Sequence, residues 1–470
     1  MGAELRPDVQ SAPALGAPAL GACHARLGGP IVFAHCVTAM PQIEAVCAAV
    51  PGLQAYAAER ALAVAGADDV VLLAQPPDAA FLDLLAQWGL GPPRERIVVP
   101  APPAGRSFAE SALAVRARAD APALRRLGEL LGPRVGVWVD ALHAEAADQA
   151  LAEGLGHAAR TVAGDPSATY RADRKQLIRA SAIELGVPVA PGTVIELAQG
   201  AGDRRADATA LAAAIRRFAR RTGRAIVRGS VGSSGTSLWV SGAAEAEVEK
   251  TVADILRRED NQVYLVDELL DVAVSPNVQT FIDPVDRCVT CIGITDQLLD
   301  QAGAHFGNVY PSCAETAPRL VEHALCLSQR LADQGLTGVI GFDFVEYADF
   351  GGRRRAVLAE INPRYNSASY PLALMERLTM RQRAFGRPEP AAFAAGRIAT
   401  PARSFTELRT LLGGRLFDPR TGTGVVPFHA AAVGNGVVGV AVFARTREQA
   451  ARDFAALAAG ACQGRDSDGR

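Results

Sequence analysis

The sequence predicts a mixed α/β (α+β) protein, and three observations carry this prediction. Strand patterns alternate with helix patterns between residues 31 and 139, as in an α/β unit with a mainly parallel sheet. A strand, a loop of small residues and a second strand follow between 225 and 240. A hairpin pattern with acidic residues in both strands spans Gly341 to Arg364. The 470 residues leave room for about three domains of ordinary size.

The first part of the chain predicts a tail and a parallel α/β domain. Residues 1–29 repeat Ala, Leu, Gly and Pro without periodicity, and we expect a disordered tail. Residues 30–165 contain strand patterns near 31–37, 69–74, 97–99 and 134–139. No glycine motif of the Rossmann or P-loop type follows these strands, so this domain is expected to be a scaffold or to face a substrate.

Composition limits the partners and the compartment. The net charge is −2 and no long run of one sign exists, which argues against nucleic acid or a membrane surface as a partner. The N-terminus lacks the pattern of a secretory signal, and eight scattered cysteines favour reduced thiols, so we expect a cytoplasmic protein. Cys288 and Cys291 lack a second ligand pair nearby, which favours a structural role over a zinc site.

Lysine usage singles out one residue. Of 48 basic side chains only Lys175 and Lys250 are lysine. Lys250 has Glu247 three residues before it on a predicted helix, which explains it locally. Lys175 lies just inside a predicted helix start and has no such acidic neighbour. A flexible ammonium suits phosphate binding in a way that the planar guanidinium does not copy, although an ordinary surface lysine is the alternative.

The small-residue loop and the segment after it are candidates for nucleotide contacts. The loop at 229–237 contains only Gly, Ser, Thr and one Val, so backbone N–H groups there could approach an anion closely. An ordinary Gly/Ser hairpin loop fits equally well. The segment Val263 to Val272 predicts a strand that ends in Asp267 and Glu268, and such an extended segment could offer its backbone to a purine edge.

The hairpin places two carboxylates together. A two-residue turn at Gly351-Gly352 sets Phe350 opposite Arg353, and the same register sets Asp343 opposite Glu360. Asn362 then shares their face. Directly opposed like charges repel, so a cation is expected. Mg²⁺ fits carboxylate and carbonyl oxygens; the alternative is neutralisation by an arginine at 353, 354, 355 or 364.

The order of these features resembles the ATP-grasp superfamily. The match runs from about Ala172 to Tyr370 and depends most on Asp343 and the Glu360-x-Asn362-x-Arg364 pattern. It implies an ATP-grasp domain of two subdomains at 166–400, with a lid at about 187–266, and a small C-terminal α/β extension at 401–470. The N-terminal domain and this extension look more like the branch that contains the peptide ligase of pheganomycin biosynthesis.

The resemblance also implies roles for individual residues. Asp343, Glu360 and Asn362 match magnesium ligands. Arg364 matches the arginine that stabilises the transferring phosphoryl group or an oxyanion, and Arg228 stands where the family has a second lysine. The residues that match nucleotide-binding positions are Lys175, Arg228, Ser230, Gly232, Ser233, Ser234, Gly235, Thr236, Val266, Asp267, Glu268 and Leu269.

The implied activity is the ATP-dependent joining of a small-molecule carboxylate to an amine, such as an amino acid or peptide, through an acyl phosphate. ATP and Mg²⁺ are the implied cofactors, and a homodimer is the default expectation. The arginine at 228 and the absence of a ribose-binding glutamate keep two alternatives open. One is a nucleotide-binding scaffold or regulatory protein with a degenerate site, and the other is a kinase of the same superfamily.

Overall fold

Three sheets organise the chain within the residues that the structure describes. The structure is a computed structural model, and it describes residues 19–463 except 41, 51, 103–106, 134–135, 157–158, 199–203, 233–236, 259–260 and 301–304. None of the helices in these ranges combines the length and apolar character that crossing a membrane requires. The seven cysteines whose side chains are described form no disulfide, in agreement with the expectation of free thiols.

The first sheet is parallel and lies in the N-terminal part of the chain, with strand order β3-β2-β1-β4-β5. Its central strands are apolar and fully buried, as expected for a parallel sheet covered on both faces. Its strands are β1 Ile31–Phe33, β2 Val70–Leu72, β3 Ile97–Val98, β4 Trp138–Asp140 and β5 Arg160–Thr161. The helices in this part are α1 Leu20–Arg26, α2 Ile43–Ala49, α3 Leu53–Glu59, α4 Ala79–Gln87, α5 Leu113–Ala119, α6 Ala121–Leu131 and α7 Ala146–Gly154.

Helix α1 corrects the expectation of a disordered tail at 1–29. Leu20 and Cys23 are buried in the main hydrophobic core. The backbone N–H groups of Gly21 and Ala22 donate to the Glu376 carboxylate over 2.7 and 3.1 Å. The prediction was therefore wrong for residues 20–26, because a distant carboxylate supplies the cap that the local sequence lacks. Residues 1–18 lie outside the described ranges.

The second sheet is antiparallel, with order β6-β9-β7-β8; it lies in the segment for which a lid is predicted, and we call this sheet and the helices that cover it the lid. Helices α10 and α11 cover one of its faces around a core that includes Leu211, Ile215 and Val248. Two shorter helices, α8 and α9, precede the lid in the chain. The bounds of these elements are α8 Pro166–Ala172, α9 Lys175–Glu184, β6 Gly192–Glu196, α10 Arg204–Thr222, β7 Arg224–Gly229, β8 Leu238–Gly242, α11 Glu245–Leu256 and β9 Val263–Glu268.

The third sheet has nine antiparallel strands in the order β10-β14-β11-β12-β13-β16-β18-β17, with β15 pairing β14 on its other side. The C-terminal strands therefore continue the sheet that holds the hairpin. The strands are β10 Val272–Val274, β11 Pro276–Ile282, β12 Val289–Leu299, β13 His305–Tyr310, β14 Gly338–Ala348, β15 Arg354–Asn362, β16 Ala392–Ala399, β17 Gly424–His429 and β18 Val437–Ala444. The helices are α12 Ala317–Asp333, α13 Ser369–Ala384, α14 Phe405–Leu412 and α15 Arg447–Gln463.

The hairpin of β14 and β15 has the predicted pairing at its functional end and a different turn. Asp343 lies opposite Glu360, as predicted. The Asp349 N–H donates to the Arg353 carbonyl over 2.9 Å, so the turn has one residue more than the predicted Gly-Gly turn. A β-bulge at Ala359 restores the register, because Phe344 pairs with Leu358 while Asp343 pairs with Glu360. The two departures cancel.

Candidate active site

The paired carboxylates of the hairpin form the acidic centre of the site. Asp343 is buried, and its carboxylate accepts hydrogen bonds from the side-chain amides of Gln297 and Asn362, each over 2.9 Å. The Asn277 amide donates to the same carboxylate. Glu360 is about one-third exposed, so it forms the open side of the pair.

The acidic pair carries an electrostatic cost. The pKa of Asp343 is raised to about 7: burial and the charge of Glu360 raise it, while the hydrogen bonds from Asn277 and Asn362 and the charge of Arg364 oppose the rise. Three amide donors around one carboxylate stabilise its ionised form. The amides offset only part of the effect of burial and of Glu360, so a cation bound at the pair would favour the ionised form of Asp343 and relieve the repulsion.

Lys175 is the cation that meets this pair. It is the first residue of α9, and its Nζ lies 3.3 Å from Glu360 Oε2. Its backbone N–H donates to the Ser230 carbonyl over 3.1 Å, which ties α9 to the start of the lid loop. Two arginines considered as neutralising partners bind elsewhere, Arg354 with Glu315 and Arg355 with Asp349.

The donor set fits a hard divalent cation. Asp343 and Glu360 supply carboxylate oxygens, and the Asn362 amide nitrogen already faces Asp343, which leaves its carbonyl oxygen as a ligand. Within the described ranges, no group of three or more His, Cys, Asp or Glu side chains could hold a metal. Two carboxylates and one amide suit Mg²⁺, which keeps several ligand positions for phosphate oxygens and water.

Arg228 and Asp267, both expected to contact a nucleotide, bind each other. Arg228 Nη2 lies 2.6 Å from Asp267 Oδ2, and Arg179 Nη1 lies 2.9 Å from Asp267 Oδ1. Asp267 is fully buried between the two guanidinium groups. Arg228 Nη1 also donates to the carbonyl of the bulged Ala359 over 2.6 Å, which joins the lid to the hairpin. Arg179 was missed in the sequence because its partner is 88 residues away.

The remaining lid residues have mixed surroundings. Val266 is fully buried in the lid core, and the Glu268 carboxylate lies 3.7 Å from Arg221 on α10. The Leu269 backbone N–H donates to the Arg224 carbonyl over 3.1 Å. The Ser230 hydroxyl donates to Gln176. Gly232 is partly exposed at the edge of the lid loop, and Ser233, Ser234, Gly235 and Thr236 lie outside the described residues.

The lid and the hairpin enclose a narrow cleft. Its volume is about 10 Å³, which is roughly enough for one water molecule. The residues that line it are Lys175, Ile178, Arg179, Val189, Arg228, Leu265, Leu358, Ala359 and Glu360. Several residues with predicted phosphate or metal contacts therefore face one cleft, and a nucleotide could enter only if the lid moved away from the third sheet.

Arg364 follows β15 and points its charge toward this region. Its Nη1 donates to the Tyr365 carbonyl over 3.4 Å, and its Nε is buried without a hydrogen-bond partner. In the part of the chain that the structure describes, no carboxylate lies within ion-pair distance of its guanidinium. An unpaired, half-buried guanidinium is a suitable donor for an anionic group.

A histidine–aspartate pair near Lys175 and Arg364 was not predicted. His143 Nε2 lies 2.7 Å from Asp173 Oδ2. Burial would raise the pKa of Asp173, but the hydrogen bond and charge of His143 and the charges of Arg364 and Lys175 together hold it below its usual value. The only signal in the sequence was the position of Asp173 two residues before Lys175. The pair adds a fixed negative charge beside the two cations.

Comparisons with known proteins give a family match for part of the chain. Residues 58–157 match the model of the pre-ATP-grasp domain. No curated protein matches the sequence.

The fold as a whole is similar to those of solved enzymes. The ADP complex of purK, N5-carboxyaminoimidazole ribonucleotide synthetase, has a TM-score of 0.51 and 13% identity, covering 91% of this chain and 95% of its own. A biotin carboxylase from Campylobacter jejuni in a β-γ-ATP complex has a TM-score of 0.51 and 17% identity, covering 90% of this chain and 88% of its own. The predicted fold class, with its parallel N-terminal domain and ATP-grasp architecture, is confirmed.

Proposed function

We propose that this protein is an ATP-dependent carboxylate–amine ligase that forms an amide bond, with peptides as the product class, through an acyl phosphate. The observation that carries the proposal is the meeting of Lys175, Arg228 and Glu360 at one cleft between the lid and the third sheet, with Asp343 directly opposite Glu360 in the hairpin. The pre-ATP-grasp match and the ATP-grasp fold support it.

The nucleotide is proposed to occupy the cleft after the lid opens. Lys175 and Arg228 supply positive charge to the phosphates, and the lid loop supplies backbone N–H groups. The carboxylate of Asp267 is taken by Arg179 and Arg228. Adenine is therefore proposed to be recognised by backbone groups of Val266 to Leu269 rather than by that side chain.

Mg²⁺ is proposed to bind at Asp343, Glu360 and Asn362, where it would supply charge stabilisation to the phosphate oxygens. Lys175 then changes its partner. Its ammonium is held at Glu360 in the present arrangement, and it becomes free to turn to a phosphate when another cation neutralises that carboxylate. Asn277 and Gln297 orient the Asp343 carboxylate through their hydrogen bonds.

The reaction proceeds in two substitutions. A carboxylate oxygen of the acid attacks the γ-phosphorus of ATP, and the bond between that phosphorus and the oxygen of ADP breaks. An amine nitrogen then attacks the acyl carbon, phosphate leaves, and the nitrogen loses a proton. Arg364 and Arg228 stabilise the charge that develops on the transferring group, and the closed lid excludes water from the acyl phosphate.

The test is the release of phosphate from ATP in the presence of pooled amino acids and short peptides, with amide products identified by mass spectrometry. Wild-type protein and the matched control Glu315→Gln, an exposed glutamate that lies just before α12 and pairs with Arg354 of β15, should release phosphate only with Mg²⁺ and the pool. Glu360→Gln should lose at least about 100-fold in rate. Phosphorylated acids without any amide, or ATP binding without turnover in every pool, would contradict the ligase assignment.

A further inference from the structure

A second group of polar side chains lies between the N-terminal domain and the third sheet. Its centre is Arg60, which follows α3 directly. The Arg60 guanidinium carbon lies 4.5 Å from the ring centre of Tyr370 and 5.3 Å from that of Tyr56. Within the described ranges the guanidinium makes no ion pair, and its buried Nε has no hydrogen-bond partner. We call Arg60, Tyr56, Tyr370, His35 and His429 the Arg60 cluster.

The two histidines of the cluster also have unused nitrogen atoms. His429 is 1% exposed, its ring lies 4.7 Å from that of Tyr56, and its Nδ1 has no partner. His35 is fully buried; its Nδ1 lies 3.1 Å from the Tyr370 hydroxyl, and its Nε2 has no partner. Burial, and then the charge of Arg60, lower the pKa of both histidines well below the usual value. Both are therefore neutral.

A second arginine lies beside the cluster, while the buried carboxyl groups near it bind other partners. Arg397 Nη1 donates to the Tyr56 hydroxyl over 3.5 Å. Two buried carboxyl groups lie near the cluster, and both have other partners: Glu59 accepts hydrogen bonds from the backbone N–H groups of Ala430 and Ala431, and Asp140 accepts one from Tyr365 over 2.6 Å and lies 3.7 Å from His24. Among the residues that the structure describes, neither carboxyl group forms an ion pair with Arg60, and burial raises the pKa of Glu59 to about 7, which weakens its negative charge. A half-buried guanidinium without a counter-charge is costly, so an anion would stabilise this arrangement.

The cluster adjoins the candidate active site. The Tyr370 ring stacks on that of Tyr365, the residue after Arg364, with ring centres 5.6 Å apart. Burial raises the pKa of Tyr370, and the charges of both Arg60 and Arg364 oppose that rise, so the two cations act on the same hydroxyl. Arg60, from the N-terminal domain, and Arg364, from the end of β15, therefore both lie near Tyr370.

We propose that Arg60 binds a carboxylate of the substrate that does not react, such as the α-carboxylate of an amino acid used as the amine. The proposal rests on the ligase function proposed above. A guanidinium can donate two parallel hydrogen bonds to a carboxylate, and the flanking tyrosine rings hold its plane. The unused nitrogens of His35 and His429 provide neutral donors in the same cluster. The reacting carboxylate remains at Arg364, next to the phosphate-binding residues.

Equilibrium dialysis of the full chain tests this site without ATP. The probes are a pool of the twenty amino acids and a matched pool of their carboxamides, measured by mass spectrometry on both sides of the membrane. The variants are Arg60→Gln, Arg60→Lys and the control Arg409→Gln, an exposed arginine on α14. Thermal melting of each variant establishes that it is folded.

The wild type and Arg409→Gln should bind one or more amino acids more tightly than the corresponding amino acid carboxamides. Arg60→Gln should weaken that binding by about 10- to 100-fold, the effect of losing a hydrogen bond to a charged group. Arg60→Lys should lose less binding affinity for acids, because lysine keeps the positive charge. If Arg60→Gln does not fold, the affinity of Arg60→Lys tests the proposal instead. Equal binding of acids and amides by the wild type, or unchanged acid preference in both variants, would overturn the proposal.

Failure of the proposed function gives a different result. If acids bind through Arg60 but no phosphate is released from ATP, the proposed carboxylate site stands and the proposed ligase function is refuted. If phosphate release requires amino acids but Arg60→Gln changes neither the binding of amino acids nor their KM, the ligase function stands and the proposed carboxylate site is refuted. In that outcome Arg60 stabilises the domain contact by cation–π packing alone.

Discussion

Replacing Asp267 with asparagine removes the charge that two buried arginines share. Asp267 is fully buried, while Arg179 and Arg228 are 11% and 12% exposed. The asparagine keeps the size of the side chain and leaves two guanidinium groups without a counter-charge. Removing one partner of a buried ion pair typically costs about 3–5 kcal/mol. We therefore expect the free energy of unfolding of the lid to fall by about 3 kcal/mol or more.

The assay follows the lid separately from the rest of the chain. Trp239 lies in β8 of the lid, whereas Trp88 and Trp138 lie in the N-terminal domain. With 5-fluorotryptophan incorporated, ¹⁹F NMR in increasing urea gives the unfolding of the lid from the Trp239 signal, assigned with Trp239→Phe.

The control for this experiment is an exposed ion pair of the same lid. Asp254 pairs with Arg257, whose side chain is 75% exposed. Asp254→Asn should therefore cost less than about 1 kcal/mol. A loss below about 1 kcal/mol for Asp267→Asn as well would refute the conclusion that this aspartate neutralises the two arginines.

Three further predictions follow from single contacts. Lys175→Met should reduce the rate of phosphate release by about 100-fold or more, while Lys250→Met should leave it unchanged; equal effects would contradict the role of Lys175. Burial raises the pKa of Glu59 from 4.5 to about 7, so the folded state binds this proton more tightly than the unfolded state. The stabilisation from this group is therefore complete below about pH 4.5 and is lost as the pH rises through about 7. Between pH 5 and pH 8, the urea concentration at the unfolding midpoint should fall less for Glu59→Gln than for the wild type. Asn277→Leu removes a donor from the buried Asp343 carboxylate and should destabilise the third sheet by about 1–3 kcal/mol in urea unfolding; an unchanged midpoint would contradict this.

In the hairpin, the predicted pairing of Asp343 with Glu360 is correct although the predicted turn type is wrong. Alternation along the strands, together with the Gly-Gly pair, predicted Asp343 opposite Glu360. The structure has a longer turn, and the bulge at Ala359 compensates for it. A bulge depends on contacts with other elements, here the hydrogen bond from Arg228 to the Ala359 carbonyl. Nothing in the local pattern of residues 338–362 signals that contact.

Partners far apart in the sequence account for the other differences. Lys175 was singled out by lysine usage, but its pairing with Glu360 depends on how α9 packs on the hairpin. Asp267 was expected to contact a nucleotide, and its two arginine partners come from α9 and β7. Helix α1 is fixed by Glu376, 355 residues away. Local patterns singled out Lys175, Arg228 and Glu360, which line the cleft, while Arg179 and the choice of partners required the fold.

The transfer of oxygen from the acid to phosphate tests the central claim most directly. Amino acids labelled with ¹⁸O in their carboxylates would be supplied as a pool with ATP and Mg²⁺, and the released phosphate analysed by mass spectrometry. An acyl phosphate requires that each phosphate carry one ¹⁸O atom from the acid, since the acyl–oxygen bond breaks when the amine attacks. Phosphate without ¹⁸O would show that water, not a carboxylate, attacked ATP, and would contradict the proposed ligase mechanism.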